Sequence, residues 1–196
     1  MSMMARGKRE KIGTGVTPIT RTGWTCLNKP NDNVFEVVLN FEGEEAAIMM
    51  EQIEALLEKD GRDNIKVTGF KDLSDENPGS FSIRFKQTAG GTRQDGSVWQ
   101  CNGDGTIPLL DSELNRVSET VTRGSRVRVS YVASKTEFKG QNYLNLGLGK
   151  VQVIELGTGG AEFDAVDGGF TSSGSVTTEV TDVPREASSV VAEVDF

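Results

Sequence analysis

An all-β fold, closed into a small five-stranded barrel with one helix inserted and an acidic tail appended, is what this sequence predicts. Three observations predict it. Several segments before Leu156 alternate apolar and polar residues with the period of two that half-buried strands require. One segment has its apolar residues at helical spacing instead. The last forty of the 196 residues hold few large apolar groups and nearly all the net charge, so they cannot build a core.

The elements follow in chain order. The start, with Arg6, Lys8, Arg9 and Lys11, reads as a flexible basic arm over residues 1–15. "VFEVVLNF" places Phe35, Val37, Leu39 and Phe41 on one face of a strand. "EEAAIMMEQIEALLEKDG" then has Ala46, Met49, Met50, Ile53, Leu56 and Leu57 at helical spacing, with acids in the first turn, and predicts a helix from about Glu44 to Lys59. "SFSIRFK" sends Phe81, Ile83 and Phe85 inward and Ser82, Arg84 and Lys86 outward. "SVWQC" and "TIPLL" flank "NGDGT", whose Asn-Gly and Asp-Gly pairs predict a tight hairpin between them.

"SRVRVSYV" alternates again, with Val127, Val129 and Tyr131 inward and Arg126, Arg128 and Ser130 outward. "SKTEFKGQ" reads as a charged connection, and "NYLNLGLGKVQVIEL" as a long strand that bends or bulges at Gly147 and Gly149. Five to seven strands in about 150 residues, long and curled, with a helix between them, predict an OB-fold-like barrel; a β-sandwich stays open. The folded domain is expected to span 1–156 and a disordered acidic tail 157–196.

Composition narrows the function. Histidine is absent, which removes the commonest general base and the commonest metal ligand. Cys26 and Cys101 are far apart and lack partners at metal-ligand spacing. No nucleophile elbow, phosphate-binding loop or dinucleotide fingerprint occurs, so a binding protein without cofactor or metal is expected rather than an enzyme. No apolar run approaches the roughly 18–20 residues that cross a bilayer, and the basic start lacks the apolar stretch of a secretory signal. The net charge of −8 is unevenly spread: residues 157–196 hold eight acids against one base, leaving the rest of the chain close to neutral.

A single nucleic-acid strand presents a line of phosphates and unpaired base faces, so a sequence-tolerant binder needs cations along a groove and aromatic rings within it. Arg84, Lys86, Arg126 and Arg128 on outward strand faces, with Lys135 and Lys139 in the connection beyond, supply the cations. Phe138, Tyr143, Trp24 and Trp99 are the candidate stacking rings, while Tyr131 falls on the apolar side of its strand and is expected in the core. A polyanionic tail tethered to such a surface competes for it at a high effective concentration. Its tip, "SSVVAEVDF", offers Phe196 for an apolar pocket on a partner, with Asp195 and the terminal carboxylate held by that partner's bases. Two other readings stay open: a protein-interaction or scaffolding β-barrel with a solubilising acidic tail, and an RNA-binding barrel.

Taken in order, an "NKP" near an early aromatic, "VFEVVLNF" leading into an acidic helix, "FSIRFK", "GSRVRVSYVASK", "LNLGLGKVQVIEL" followed at once by "GTGG", and an acidic tail ending in "DF" resemble the replicative single-stranded DNA-binding proteins of tailed bacteriophages. The resemblance covers most of the chain. It implies an OB-fold core that coats unwound template, limits hairpins and assists annealing during DNA replication, recombination and repair, in the cytoplasm of the infected bacterial host. It also implies a tail that suppresses DNA binding, supports a homodimer and recruits the replicative DNA polymerase and helicase-primase through its final aromatic. The strand at Arg126–Tyr131 and the segment through Lys139 would then belong to the DNA groove, and Phe196 would be the partner contact. The tail here is diluted by Ser, Thr and Val relative to the most acidic tails of that family.

Overall fold

The computed structural model describes residues 9–60 and 65–158. In chain order the elements are β1 (Glu10–Val16), β2 (Thr20–Asn31), β3 (Val34–Phe41), α1 (Gly43–Asp60), β4 (Ile65–Val67), β5 (Phe70–Asp72), β6 (Phe81–Thr88), β7 (Gly90–Thr92), β8 (Val98–Gln100), a short 3-10 turn (Cys101–Gly103), β9 (Leu109–Leu110), β10 (Arg126–Phe138) and β11 (Gln141–Glu155). Five of the strands close a ring. β2 pairs with β3, β3 with β6, β6 with β11, β11 with β10, and β10 returns to β2 through Arg126 and Val127. All of these pairings are antiparallel except β6–β11, where Gly147 lies beside Lys86. This is the OB-fold-like five-stranded barrel, mostly β with a single helix.

The alternation read from the sequence fills the barrel. Val37, Leu39 and Phe41 of β3, Ile83 and Phe85 of β6, Val127 and Val129 of β10, and Leu144 and Val151 of β11 are all fully buried. Each such side chain contributes about 1.5–3 kcal/mol by leaving water. Tyr131 is buried as expected, its ring 5.9 Å from that of Phe85 and its hydroxyl donating to Gln52 Oε1 at 2.9 Å. The helix buries Ala46, Met49, Ile53 and Leu56 and packs against β1 and β3, with Glu44 and Glu45 in its first turn. Among the described residues no helix is long and apolar enough to cross a membrane.

The predicted bend in the last strand is present as a bulge. Tyr131 pairs with Leu148 and Val129 with Val151, so Gly149 and Lys150 together oppose Ser130. A Cβ at Gly149 would stand 2.6 Å from Ser130 Oγ and 2.8 Å from its carbonyl oxygen, and the Ser130 hydroxyl accepts the Lys150 N–H at 2.7 Å.

Several expectations are corrected. The arm expected to be flexible over 1–15 includes β1, because Glu10–Val16 pairs antiparallel with β10 from Ser130 to Lys135 and satisfies its backbone there. "NGDGT" does not join two paired strands. β8 pairs with β7 and β9 lies parallel to β11, while Asp104 accepts the Thr106 N–H and folds the loop on itself. The hairpin in this region turns instead at Asp95-Gly96, where Arg93 N–H donates to the Ser97 carbonyl and Asp95 caps Ser97. "SKTEFKGQ" is no connection either: β10 continues to Phe138, and the reversal takes only Lys139 and Gly140, both with positive φ. Ser82 lies on the outward side as read, but it is covered there, 6% exposed, with β5 paired beside it.

Candidate nucleic-acid interface

The OB barrel presents oligonucleotides with the outer face of its second and third strands, bordered by the loops between strands one and two and between strands four and five. In this ring those strands are β3 and β6, and the loops are Asp32-Asn33 and Lys139-Gly140. Direct register partners across β3 and β6 pair Glu36 with Lys86, Val38 with Arg84 and Asn40 with Ser82. Since Val37, Leu39, Ile83 and Phe85 take the inside, these residues take the outside.

Over this face lies an open cleft of about 790 Å³. Trp24 and Thr25 of β2, Val38 and Asn40 of β3, Ser82 of β6 and Lys71 of β5 line it, together with the carboxylate-bearing Glu76 and with Thr120 and Arg123 of the segment that runs beside β2. Trp24 is 60% exposed, an unusual state for a large ring in a strand. Thr25 Oγ1 is buried in this lining without a hydrogen-bond partner.

Electrostatics set how freely the cations act. Glu36, only 16% exposed, accepts Lys86 Nζ at 3.1 Å and stands 3.8 Å from Arg84 Nη1. Both bases remain nearly half exposed, so the carboxylate holds them on the face while cancelling part of their charge. Lys71 and Arg123 are exposed at the cleft and have no ion pair among the described residues.

The structure separates the other candidates. Phe138 and Lys139 sit together at the tip of the β10–β11 hairpin, the ring 51% exposed and the ammonium 5.4 Å from its centroid. Tyr143, on β11, is half-buried, with Thr136 and Lys66 as its neighbours across the sheet. Trp99 lies off the barrel on β8, half-buried against the core with its indole beside Gly91. Lys135 is inside β10 rather than in a loop, and it is 5% exposed, facing inward in step with Val127, Val129, Tyr131 and Ala133.

Arg126 and Arg128 are exposed on β10, which is not a neighbour of β6 in the ring, so the two basic stripes expected from the sequence do not form one trough. Arg126 stands 3.8 Å from Glu155, and Arg128 Nε donates to Gln152 Oε1 at 2.6 Å. Asp195 and Phe196, with Arg6 and Lys8, lie outside the described residues. Sequence reasoning missed Lys71, Arg123, Val38 and Asn40. The first two sit in a three-residue strand and a turn, too short for any periodicity, and Val38 and Asn40 are the back face of a strand whose apolar side had been identified.

No family model and no curated protein matches this sequence. Solved structures do match its fold. gp2.5, a single-stranded DNA-binding protein encoded by bacteriophage T7, superposes with a TM-score of 0.59 at 16% identity, over 81% of this chain and 98% of that one. The single-stranded DNA-binding protein from bacteriophage Enc34 gives 0.54 at 15% identity, over 83% and 97%. The same Enc34 protein in complex with single-stranded DNA gives 0.53 at 15%, over 73% and 86%. The barrel with its single helix is thus the fold of phage single-stranded DNA-binding proteins.

Proposed function

We propose that this chain binds single-stranded DNA, without catalysis and largely without regard to sequence, in the cleft across β2, β3 and β6. The observation that carries the reading is an exposed Trp24 in a cleft that Lys71 and Arg123 also line, on the barrel face that continues into Arg84 and Lys86. Trp24 offers a stacking face that every base can use, and the four bases line the path of the phosphates. Phe138, the last residue of β10, and Lys139, the first of the two-residue turn, form a lip from a second direction. The shared fold of two phage proteins that bind single-stranded DNA supports the same reading.

The finer roles rest on this binding. Gly157 N–H donates to Ser125 Oγ and its carbonyl accepts the Thr122 hydroxyl, so the chain at Gly157 packs on the turn that carries Arg123, a residue lining the cleft. Residues 159–196 hold eight acids against one base and are covalently tethered there, which gives them an effective concentration at the barrel on the order of millimolar. The acidic tail then competes with DNA, and DNA frees Asp195 and Phe196 to recruit the replicative polymerase and helicase-primase. Dimer formation through the tail, and roles in replication, recombination and repair inside the infected host cell, complete the proposal.

Polarisation titration with a labelled oligothymidine at low salt, on the full chain and on a chain ending at Thr158, tests it. Tight binding that strengthens when the tail is removed is expected. Absence of binding by both chains would refute the function; equal affinity would refute the competition by the tail.

A further inference from the structure

The seam that closes the barrel sets two like charges side by side. Arg21 of β2 and Arg126 of β10 are direct register partners, both exposed, with buried neighbours on either side in each strand. Like charges directly opposite one another in an antiparallel pair are about 5 Å apart at Cβ and destabilise the sheet. Little nearby relieves them. Arg21 Nη1 donates to the Gly124 carbonyl at 3.3 Å, a long bond to a neutral acceptor. Arg126 has Glu155 at 3.8 Å, but that carboxylate is 63% exposed and screened by water.

The seam is continuous with the cleft. Arg21 pairs on its other side with Asn40, which pairs with Ser82, and both line the cleft; Ser82 in turn pairs with Lys71. One row across the outer surface therefore runs Lys71, Ser82, Asn40, Arg21, Arg126. Three strand spacings, about 14 Å, separate Ser82 from Arg126. Arg123, which lines the cleft, immediately precedes the Gly124 whose carbonyl Arg21 binds.

We infer that the Arg21–Arg126 seam is a second phosphate-binding site, taking the backbone of a single DNA strand after it leaves the cleft and carrying it round the barrel towards β10. This rests on the proposed function and extends its footprint. A phosphodiester between two guanidiniums turns their repulsion into a shared charge-assisted contact. The cleft grips bases by stacking, while the seam reads only the backbone, so its contribution grows with the length of the strand and not with its sequence.

The test uses the full chain with Arg21→Ala/Arg126→Ala, and separately Arg21→Glu, which makes an oppositely charged pair with Arg126 and has the neutral Asn40 on its other side, so the seam is preserved structurally. Oligothymidines are compared at lengths near the lower and upper ends of the roughly 4–16 nucleotides one OB fold covers. Unchanged affinity for the shortest strand is expected, with a loss of about tenfold or more on the longest. The slope of log affinity against log salt for the longest strand should fall by about 0.7, the value for the one phosphate that the two guanidiniums share. An equal loss at both lengths, or none at either, overturns the inference while leaving the cleft reading intact. Tighter binding by the variants assigns the seam to the acidic tail and also overturns it. Failure of the unaltered chain to bind any strand overturns both.

Discussion

Replacing Trp24 by alanine removes the one large ring that lines the cleft, and the structure sets the size of the effect. A tryptophan side chain presents about 250 Å², of which 60% is open here. One base covers one ring face, about half of that open area, or roughly 75 Å². At about 25 cal/mol per Å² the stacked base contributes about 2 kcal/mol, inside the range of about 1–3 kcal/mol for base–aromatic stacking. Affinity for oligothymidine should therefore fall roughly 25-fold in Trp24→Ala and far less in Trp24→Phe, which keeps a ring. Because the side chain is already mostly in water, the thermal midpoint should hardly move. Intrinsic fluorescence gives the assay: Trp24 and Trp99 are the chain's two tryptophans, and Trp99 packs beside Gly91 against the core. Quenching on DNA addition should survive Trp99→Phe and vanish in Trp24→Phe. Retained quenching together with a dissociation constant within twofold of the unaltered chain would show that no base stacks on Trp24.

Other consequences follow from the same geometry. Glu36→Gln removes the carboxylate shared by Lys86 and Arg84, so DNA should bind about two- to fivefold more tightly at low salt, the gain fading as salt is raised; weaker binding would mean that Glu36 positions the two bases rather than masking them. Leu39→Ala empties a fully buried position of β3 and should cost about 2–5 kcal/mol, a fall of roughly 5–15 °C in thermal midpoint by calorimetry. Hydrogen bonds from the side chain and backbone of Ser74, Ser97 and Thr106, and from the backbone of Asn115, hold the Asp72, Asp95, Asp104 and Asp111 carboxyls below the usual carboxylate range. Their turns are therefore stabilised at neutral pH, fully so above the unfolded aspartate value, and lose that stability as pH falls through the lower folded values. A thermal midpoint that is level from pH 7 to about 5 and falls below about 4 is expected, and Asp104→Asn should reduce the fall.

Periodicity alone determined the barrel's inner surface. The alternations in "VFEVVLNF", "SIRF" and "RVRVSYV" hold because a strand sends successive side chains to opposite faces, so a local pattern is enough to say which residues are buried. Helical spacing of apolar residues located α1 in the same local way, and the glycines marked the bulge at Gly149, where a side chain would collide with Ser130. Phe138 and Lys139 were legible as an exposed aromatic and base pair, though not as the tip of a hairpin. What lay beyond the sequence was everything that depends on which strand lies beside which. The Asp95-Gly96 turn and the "NGDGT" loop carry the same turn residues, and only the pairing of β8 with β7 distinguishes the hairpin from the loop. Lys135 stands in a charged segment yet faces the interior, because the β10 alternation runs on past the point where composition turns polar. Arg84 and Arg126 look alike in one dimension, each outward on a basic strand. Closure of the ring put one on the cleft face and the other on the seam beside Arg21, since strand neighbours in a barrel are set by long-range hydrogen bonds that no local pattern encodes.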